Sequence, residues 1–490
     1  MRDRQHTAPL FEAVKDYTKK RPAYFCIPGH RYERGISPLW RNEVGDAIFS
    51  YDLTEAHGLD DLHKPEGAIK EAEELAAELY GTKKSYFLVN GSTCGNEAML
   101  LSVLKPGDKV LLPRNVHKSI LMGLVLSGAR PVWLLPAYVK EAGVYGCVTA
   151  EAVSAAFQKD PDIRALCLVS PNYYGMVSDI RGIADECHKR NIPLLVDEAH
   201  GGHLYFSERL PAGCLKEGAD MCVQSWHKVT GSLTQSSVLH INSDRIDINR
   251  VEDALKTVQS TSPSYLLMTS LDLARRELAL HGKEDMDALY ELAGEARKGL
   301  SAIDGIELPG EELIGRYGIH ALDISRLLIG VHRLGATGTD FADRLFSGFN
   351  VDTELAEENF FLAILTAAGT KEDVEILIKA VAALAKKGDW PDKKKGPDPG
   401  EIRLPEQVLS PRQAWFAKKT SLPLARAVGK VAGEAVIPYP PGIPLLYPGE
   451  RISDHEAALI EKLAGEQRHM HGMADESLLK IRVLADQELF

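Results

Sequence analysis

Cysteine is scarce in this chain, and the scarcity excludes two kinds of scaffold. Seven cysteines in 490 residues are an odd number with no CxxC pair, so neither a disulfide framework nor a zinc-binding fold is expected, and no metal is assigned. Most should pack as small apolar side chains; Cys94 stands apart because of the turn it occupies. Long apolar runs are missing too. No stretch approaches the roughly 18 residues of a membrane span. Met1-Arg2-Asp3-Arg4-Gln5-His6 leads into no apolar segment of a signal peptide, so the expected compartment is the cytoplasm. Positive charge is in deficit: 57 Lys and Arg face 69 Asp and Glu, a net charge of −12, which argues against a nucleic-acid partner. The phosphate-loop pattern GxxxxGK[ST] is absent, which argues against a nucleotide triphosphatase.

What is present is an alternation of strand and helix patterns. Apolar runs at 85–90, 108–112, 131–135, 165–170, 193–197, 220–224 and 237–241 read as strands, with helical patterns between most of them. That alternation predicts an α/β fold with a mostly parallel sheet. Helices are expected near Leu10–Lys19, over 265–281 and over 373–385. The chain divides into an N-terminal arm (1–60), a large domain (61–300), a smaller α/β domain (301–385), a charged Pro/Gly-rich linker (386–402) and a C-terminal domain (403–490). The arm must lie either on its own large domain or on a partner subunit. Pro438-Tyr439-Pro440-Pro441-Gly442-Ile443-Pro444 cannot be helical, because proline removes donors and fixes φ.

Chemistry is suggested where these strands end. Ser225-Trp226-His227-Lys228 follows one apolar strand, and a lysine there can form a Schiff base with an aldehyde. A solvated surface lysine is the plain alternative. Asp197 closes another apolar run, at the strand end where open α/β sheets bind ligands; helix capping is its alternative role. Gly91-Ser92-Thr93-Cys94-Gly95-Asn96 joins a strand to a helix start and offers free N–H groups and hydroxyls to a phosphate, or simply caps. His117 opens the next helix, where an imidazole could lie flat on a ring or serve as a structural hydrogen bonder.

Taken with Pro28-Gly29-His30, Leu59-Asp60-Asp61-Leu62-His63, Pro113 to Ser119, Val196 to Gly201, Gly231 to Ser237 and Tyr439 to Pro444, these segments resemble the Orn/Lys/Arg decarboxylase family of fold-type I pyridoxal phosphate enzymes. The match is close to its short bacterial arginine/lysine decarboxylases, and the motifs keep their order over nearly the whole chain. The resemblance implies a transferase-like large domain that holds pyridoxal 5'-phosphate. It also implies α-decarboxylation of a basic amino acid to the amine and CO2, in polyamine metabolism. Arginine is favoured, then lysine or ornithine. Lys228 is implied to bond the cofactor, Asp197 to hold a proton on its ring nitrogen, and His117 to stack on its face. Ser92, Thr93, Cys94, Ser225 and His227 are placed around the phosphate. Ala199 falls on the Asp197 side of the strand, under the ring, and His200 near its edge, with no assigned role. Asn172 is a candidate for the ring oxygen. The turn Ser260-Thr261 is implied to reach the phosphate of a partner subunit in a homodimer, with Thr261 or Ser260 as the donor. The substrate's cationic head wants a carboxylate; Glu450, Asp60 and Asp61 are candidates, each with a capping or surface role as alternative. Two other readings remain: another fold-type I reaction, aminotransferase or aldolase, and a non-catalytic sensor, against which Lys228 and Asp197 both count.

Overall fold

The computed structural model describes residues 4–390, 403–439, 444–465 and 469–485. Most of the charged linker (391–402) and the centre of the proline-rich motif (440–443) lie outside the described residues. The chain forms two compact units. One is drawn from Met1–Val103, Pro193–Glu208 and Ala212–Asp287, the other from Leu104–Ile192, Arg209–Pro211 and Ala288–Phe490. Among the described residues no helix is long and apolar enough to cross a membrane.

All seven expected strands form. They are β1 (Lys84–Leu88), β2 (Lys109–Pro113), β3 (Arg130–Leu134), β4 (Ile163–Val169), β5 (Leu194–Asp197), β6 (Met221–Gln224) and β7 (Ser237–Ile241). In the first unit β5 and β6 are parallel, with Leu195 opposite Met221 and Asp197 opposite Val223. β7 runs antiparallel to β6 and to β1, so β1, β5 and β6 point the same way. In the second unit β2 is parallel to both β3 and β4. β5, β6 and β7 are buried along their whole length, which is why they read as unbroken apolar runs instead of alternating ones.

The helices that matter for the site are α1 (Pro9–Lys20), α2 (Ala68–Tyr80), α3 (Gly91–Val103), α4 (Lys118–Ser127), α5 (Trp226–Val229), α6 (Ile248–Val258) and α7 (Tyr265–Ser301). α3 leaves β1 through Gly91, at φ +72, whose N–H donates to the Gln235 carbonyl. Its Gly95 lies against the sheet: a Cβ there would fall 2.4 Å from Val223 Cγ2 and 2.8 Å from Leu88 Cδ1. α2 is capped from a distance by Asp60. One Asp60 oxygen accepts the Gly67, Ile69 and Lys70 N–H groups and the other those of Asp61 and Glu66.

α7 is far longer than the expected 265–281. The expected range ends just before Gly282, which is a packing glycine: a Cβ there would meet the Phe206 ring at 2.9 Å. Buried positions continue past it at helical spacing through Met286, Leu289, Leu292, Ala293, Ala296 and Leu300. The start of the N-terminal arm lies on its own unit. Asp272, buried and paired with Arg275 at 2.8 Å, accepts the Leu10 and Phe11 N–H groups, and Arg275 donates to the carbonyls of Gln5 and Thr7. The next stretch does not bury itself: Phe25, Ile27, Leu39 and Trp40 are exposed.

In the second unit, the strand Arg326–Gly330 pairs antiparallel with Phe360–Ile364. A capping box at Thr370 and Asp373 starts the helix Lys371–Lys387, two residues beyond each end of the expected 373–385. Toward the C-terminus, Lys419–Pro423 pairs with Lys480–Leu484, and Ile437–Tyr439 is extended, as its prolines require.

Candidate active site

Because β1, β5 and β6 run the same way, their carboxyl ends share one edge of the first unit's sheet. The Gly91 turn, Asp197 and the Ser225–Lys228 turn all leave the sheet there. Ser225 is buried, and its hydroxyl donates to the Ser92 hydroxyl at 2.7 Å. This joins the turn after β6 to the first turn of α3. Thr93 is exposed beside Ser92.

Asp197 is buried with its carboxylate held at both oxygens. Asn96 Nδ2 donates to Oδ2 at 2.7 Å and the Ala199 N–H to Oδ1 at 3.1 Å. Neither donor carries charge: one is a side-chain amide and the other a main-chain N–H. Lys228, in the one-turn helix α5, is partly buried, and its Nζ lies 3.1 Å from Nε2 of the buried His200. Next to it, His227 Nδ1 is 2.7 Å from the Ser236 carbonyl. A carbonyl only accepts, so that nitrogen carries the hydrogen. Burial, with a smaller contribution from the Lys228 charge, lowers the His227 pKa, against the Ser236 hydrogen bond. The neutral ring therefore offers Nε2 as an acceptor.

Glu198, the residue directly after β5, is buried. It accepts hydrogen bonds from the Cys214 N–H, the Tyr205 hydroxyl and the Gln224 amide. Glu198, Cys214 and Cys222 form the one group of potential metal ligands found among the described residues. Burial raises all three pKa values, Cys222 to about 11.

Several expectations need correction. Cys94 cannot offer its thiol to a phosphate: the side chain is buried, its S–H donates to the Gly91 carbonyl, and burial pushes its pKa up to about 12. Ala199 is not on the strand, since β5 ends at Asp197 and the alternation argument ends with it; Ala199 sits in the turn beyond. Asp60 is spent as the cap of α2, and Asp61 accepts the His63 N–H at 2.8 Å. Glu450 is fully buried, with both oxygens on Arg114 at 2.5 and 2.7 Å and the Tyr447 N–H on one of them. It is therefore not open to a substrate cation. Asn172 uses its side-chain oxygen on the Tyr174 and Met176 N–H groups and its amide nitrogen on the Tyr145 carbonyl.

His117, in the second unit, is the N-cap of α4: Nδ1 lies 3.3 Å from the Ser119 N–H and 2.8 Å from the Ser119 hydroxyl. In the 260–261 turn, the Ser260 N–H donates to Asn90, its carbonyl accepts from His63 and its hydroxyl accepts from the Ser262 N–H. Thr261 is exposed.

Two residues escaped the sequence reading. Asn96 lies in the phosphate turn motif, but its contact with Asp197 spans 101 positions. Arg114 is buried between the Trp133 and Tyr447 rings, 4.8 and 4.6 Å from their centres. Its position directly after β2, in a turn before a helix, was the available signal.

The residues present suit a phosphorylated aromatic aldehyde. A lysine amine, a buried carboxylate and a hydroxyl-bearing helix N-terminus lie at one sheet edge. The family model for the Orn/Lys/Arg decarboxylase major domain matches residues 8–322, and that for the C-terminal domain matches 401–473. The chain is 37% identical to an arginine decarboxylase of Halalkalibacterium halodurans over 486 residues, 99% of each chain. It is equally similar to an arginine decarboxylase of Bacillus subtilis, 37% identical over 487 residues and 99% of each. The fold is similar to that of a lysine decarboxylase from Francisella novicida, with a TM-score of 0.82 and 21% identity over 97% of this chain and 81% of the other.

Proposed function

The chain belongs to the Orn/Lys/Arg decarboxylase family and is a pyridoxal-phosphate-dependent decarboxylase of a basic amino acid; from this we propose that its substrate is arginine, converted to the corresponding amine and CO2. The two relatives matched over their full length, both named arginine decarboxylase, support arginine over lysine and ornithine. The observation that carries the reaction is that Asp197 and the turn bearing Lys228 leave two adjacent parallel strands at the same end. A product amine of this kind would enter polyamine synthesis, and the cytoplasm is the proposed compartment.

Pyridoxal phosphate, when bound, supplies a protonated pyridine ring that takes up the electron pair left on Cα as CO2 departs. The chain's own residues hold and orient it. Lys228 supplies the amine that bonds the cofactor aldehyde. Asp197, fixed at both oxygens by neutral donors, accepts from the ring nitrogen and keeps its proton there. Ser92, Thr93, Ser225 and the free N–H groups at the start of α3 hold the phosphate. His227 is proposed to reach it through Nε2 only when that nitrogen also carries a proton, since Nδ1 keeps its hydrogen on the Ser236 carbonyl. His117 is proposed to stack on the ring and Ala199 to pack beneath it. His200, 3.1 Å from Lys228, exchanges a proton with the ε-amine. Asp61 is the remaining candidate for the substrate's cationic head.

We further propose a homodimer. The exposed apolar side chains of Phe25, Leu39 and Trp40 support it, because an apolar stretch of this kind favours burial. Thr261, exposed beside Ser260, is the proposed donor to the partner's phosphate.

The test is CO2 release by the purified protein with pyridoxal phosphate. It is run on arginine, lysine, ornithine and an acidic amino acid, beside Lys228→Ala. Release from arginine, lost in the variant, is expected. Release from lysine or ornithine alone would move the substrate assignment; release from none, with the cofactor still bound, would point to amino transfer.

A further inference from the structure

The carboxyl group of an aspartate turns readily, because its terminal torsion is broad and two-fold. A carboxylate meant to face one ring nitrogen therefore needs its plane fixed by neighbours. Asp197 has two such neighbours. One is the main-chain N–H of Ala199, part of the same turn; the other is the side chain of Asn96, which comes from a different element. Asn96 is completely buried, and its Nδ2 lies 2.7 Å from Asp197 Oδ2.

The placement of Asn96 is constrained from two sides. It stands one turn after Ser92 on α3, and residues four apart share a helix face. That face therefore carries both the hydroxyl bonded to Ser225 and the amide bonded to Asp197. Its depth is set by Gly95, which rests on Val223, the residue opposite Asp197 in the parallel pairing. Any side chain at position 95 would lift α3 off the strand pair that carries Asp197. α3 thus connects the phosphate end and the ring-nitrogen end of the site through consecutive turns of one helix.

The chemical type matters as well. An amide donates without charge, so it orients the carboxylate without competing with a protonated ring nitrogen for it. A lysine or arginine at this position would pair with Asp197 and weaken its pull on the ring proton.

We infer that Asn96 is a positioning residue: it sets the plane of the Asp197 carboxylate and ties that plane to the phosphate turn through α3. This inference rests on the proposed function. The test compares the full-length wild type with Asn96→Leu, which keeps the size and removes the donor, and with Asn96→Ser, whose hydroxyl is too short to reach. The readouts are the dissociation constant for pyridoxal phosphate, the pH dependence of the bound cofactor's absorption band, and kcat and KM separately. Both variants should bind the cofactor about tenfold more weakly and lose about 10- to 100-fold in kcat, with KM little changed. The absorption transition should shift in pH. If Asn96→Leu does not fold, Asn96→Ser carries the same expectation. Folded variants with wild-type cofactor affinity and an unshifted absorption profile would overturn the assignment of Asn96 alone. A wild type that takes up no pyridoxal phosphate would overturn the functional reading with it.

Discussion

The ε-amine of Lys228 lies 3.1 Å from Nε2 of His200, a residue in the turn directly after the strand that ends in Asp197. The base that would accept a proton from the lysine therefore belongs to the same turn as the carboxylate that would hold the ring. Replacing His200 with Phe keeps a flat side chain and removes the nitrogen. We expect kcat to fall about 100-fold, with a changed pH–rate profile and with cofactor still bound. A profile that keeps its shape would leave His200 with packing alone.

Arg114 and Glu450 should behave as one unit. Both are fully buried and share two hydrogen bonds. Arg114→Leu would strand a buried carboxylate and cost about 3–5 kcal/mol in urea unfolding. Arg114→Leu combined with Glu450→Leu should recover a large part of that loss. If the double variant is no more stable than the single one, the stranded charge is not the cause.

Glu73 makes the protein's stability depend on pH in a definite direction. Burial, opposed by the Phe87 N–H, raises its pKa from 4.5 to about 8. Below 4.5 both folded and unfolded chains hold the proton. Between the two values only the unfolded chain gives it up, so this contribution to stability is lost as pH rises, at about 1.4 kcal/mol per pH unit. Glu73→Gln should remove that loss: its advantage over wild type in urea unfolding should be on the order of 3 kcal/mol larger at pH 7.5 than at pH 5. An advantage equal at both pH values would contradict the burial argument.

Thiol labelling tests the first turn of α3. Cys26 is exposed and the other six cysteines are buried. Brief alkylation of the folded protein should leave Cys94 unmodified, and denaturant should open all seven sites to mass-spectrometric detection. Early modification of Cys94 would mean that the turn opens in solution.

β5, β6 and β7 were legible because they are buried along their whole length, and the ends of β1, β5 and β6 located Ser92, Asp197 and Lys228. Contacts between distant stretches were not legible. Glu450 and Arg114 stand 336 positions apart, and nothing local marks a glutamate as the partner of a buried arginine instead of a substrate cation. Asp60 presented the same ambiguity, since a cap and a ligand both need an acceptor near free N–H groups. Gly282 reads as a helix end because glycine weakens helices, yet here its missing Cβ makes room for Phe206.

The antiparallel placement of β7 has a consequence for the order in which the protein can be assembled. In the sheet of the first unit β1 pairs with β7, and it is β7 that joins it to β6. A nascent chain that has just emerged through Lys228 already carries every side chain proposed to touch the cofactor except Thr261. It still has no way to dock the strand that leads into Ser92 until residues 237–241 follow. Synthesis must therefore run past the chemistry before the phosphate end of the site can close, and cofactor capture is expected only after that point.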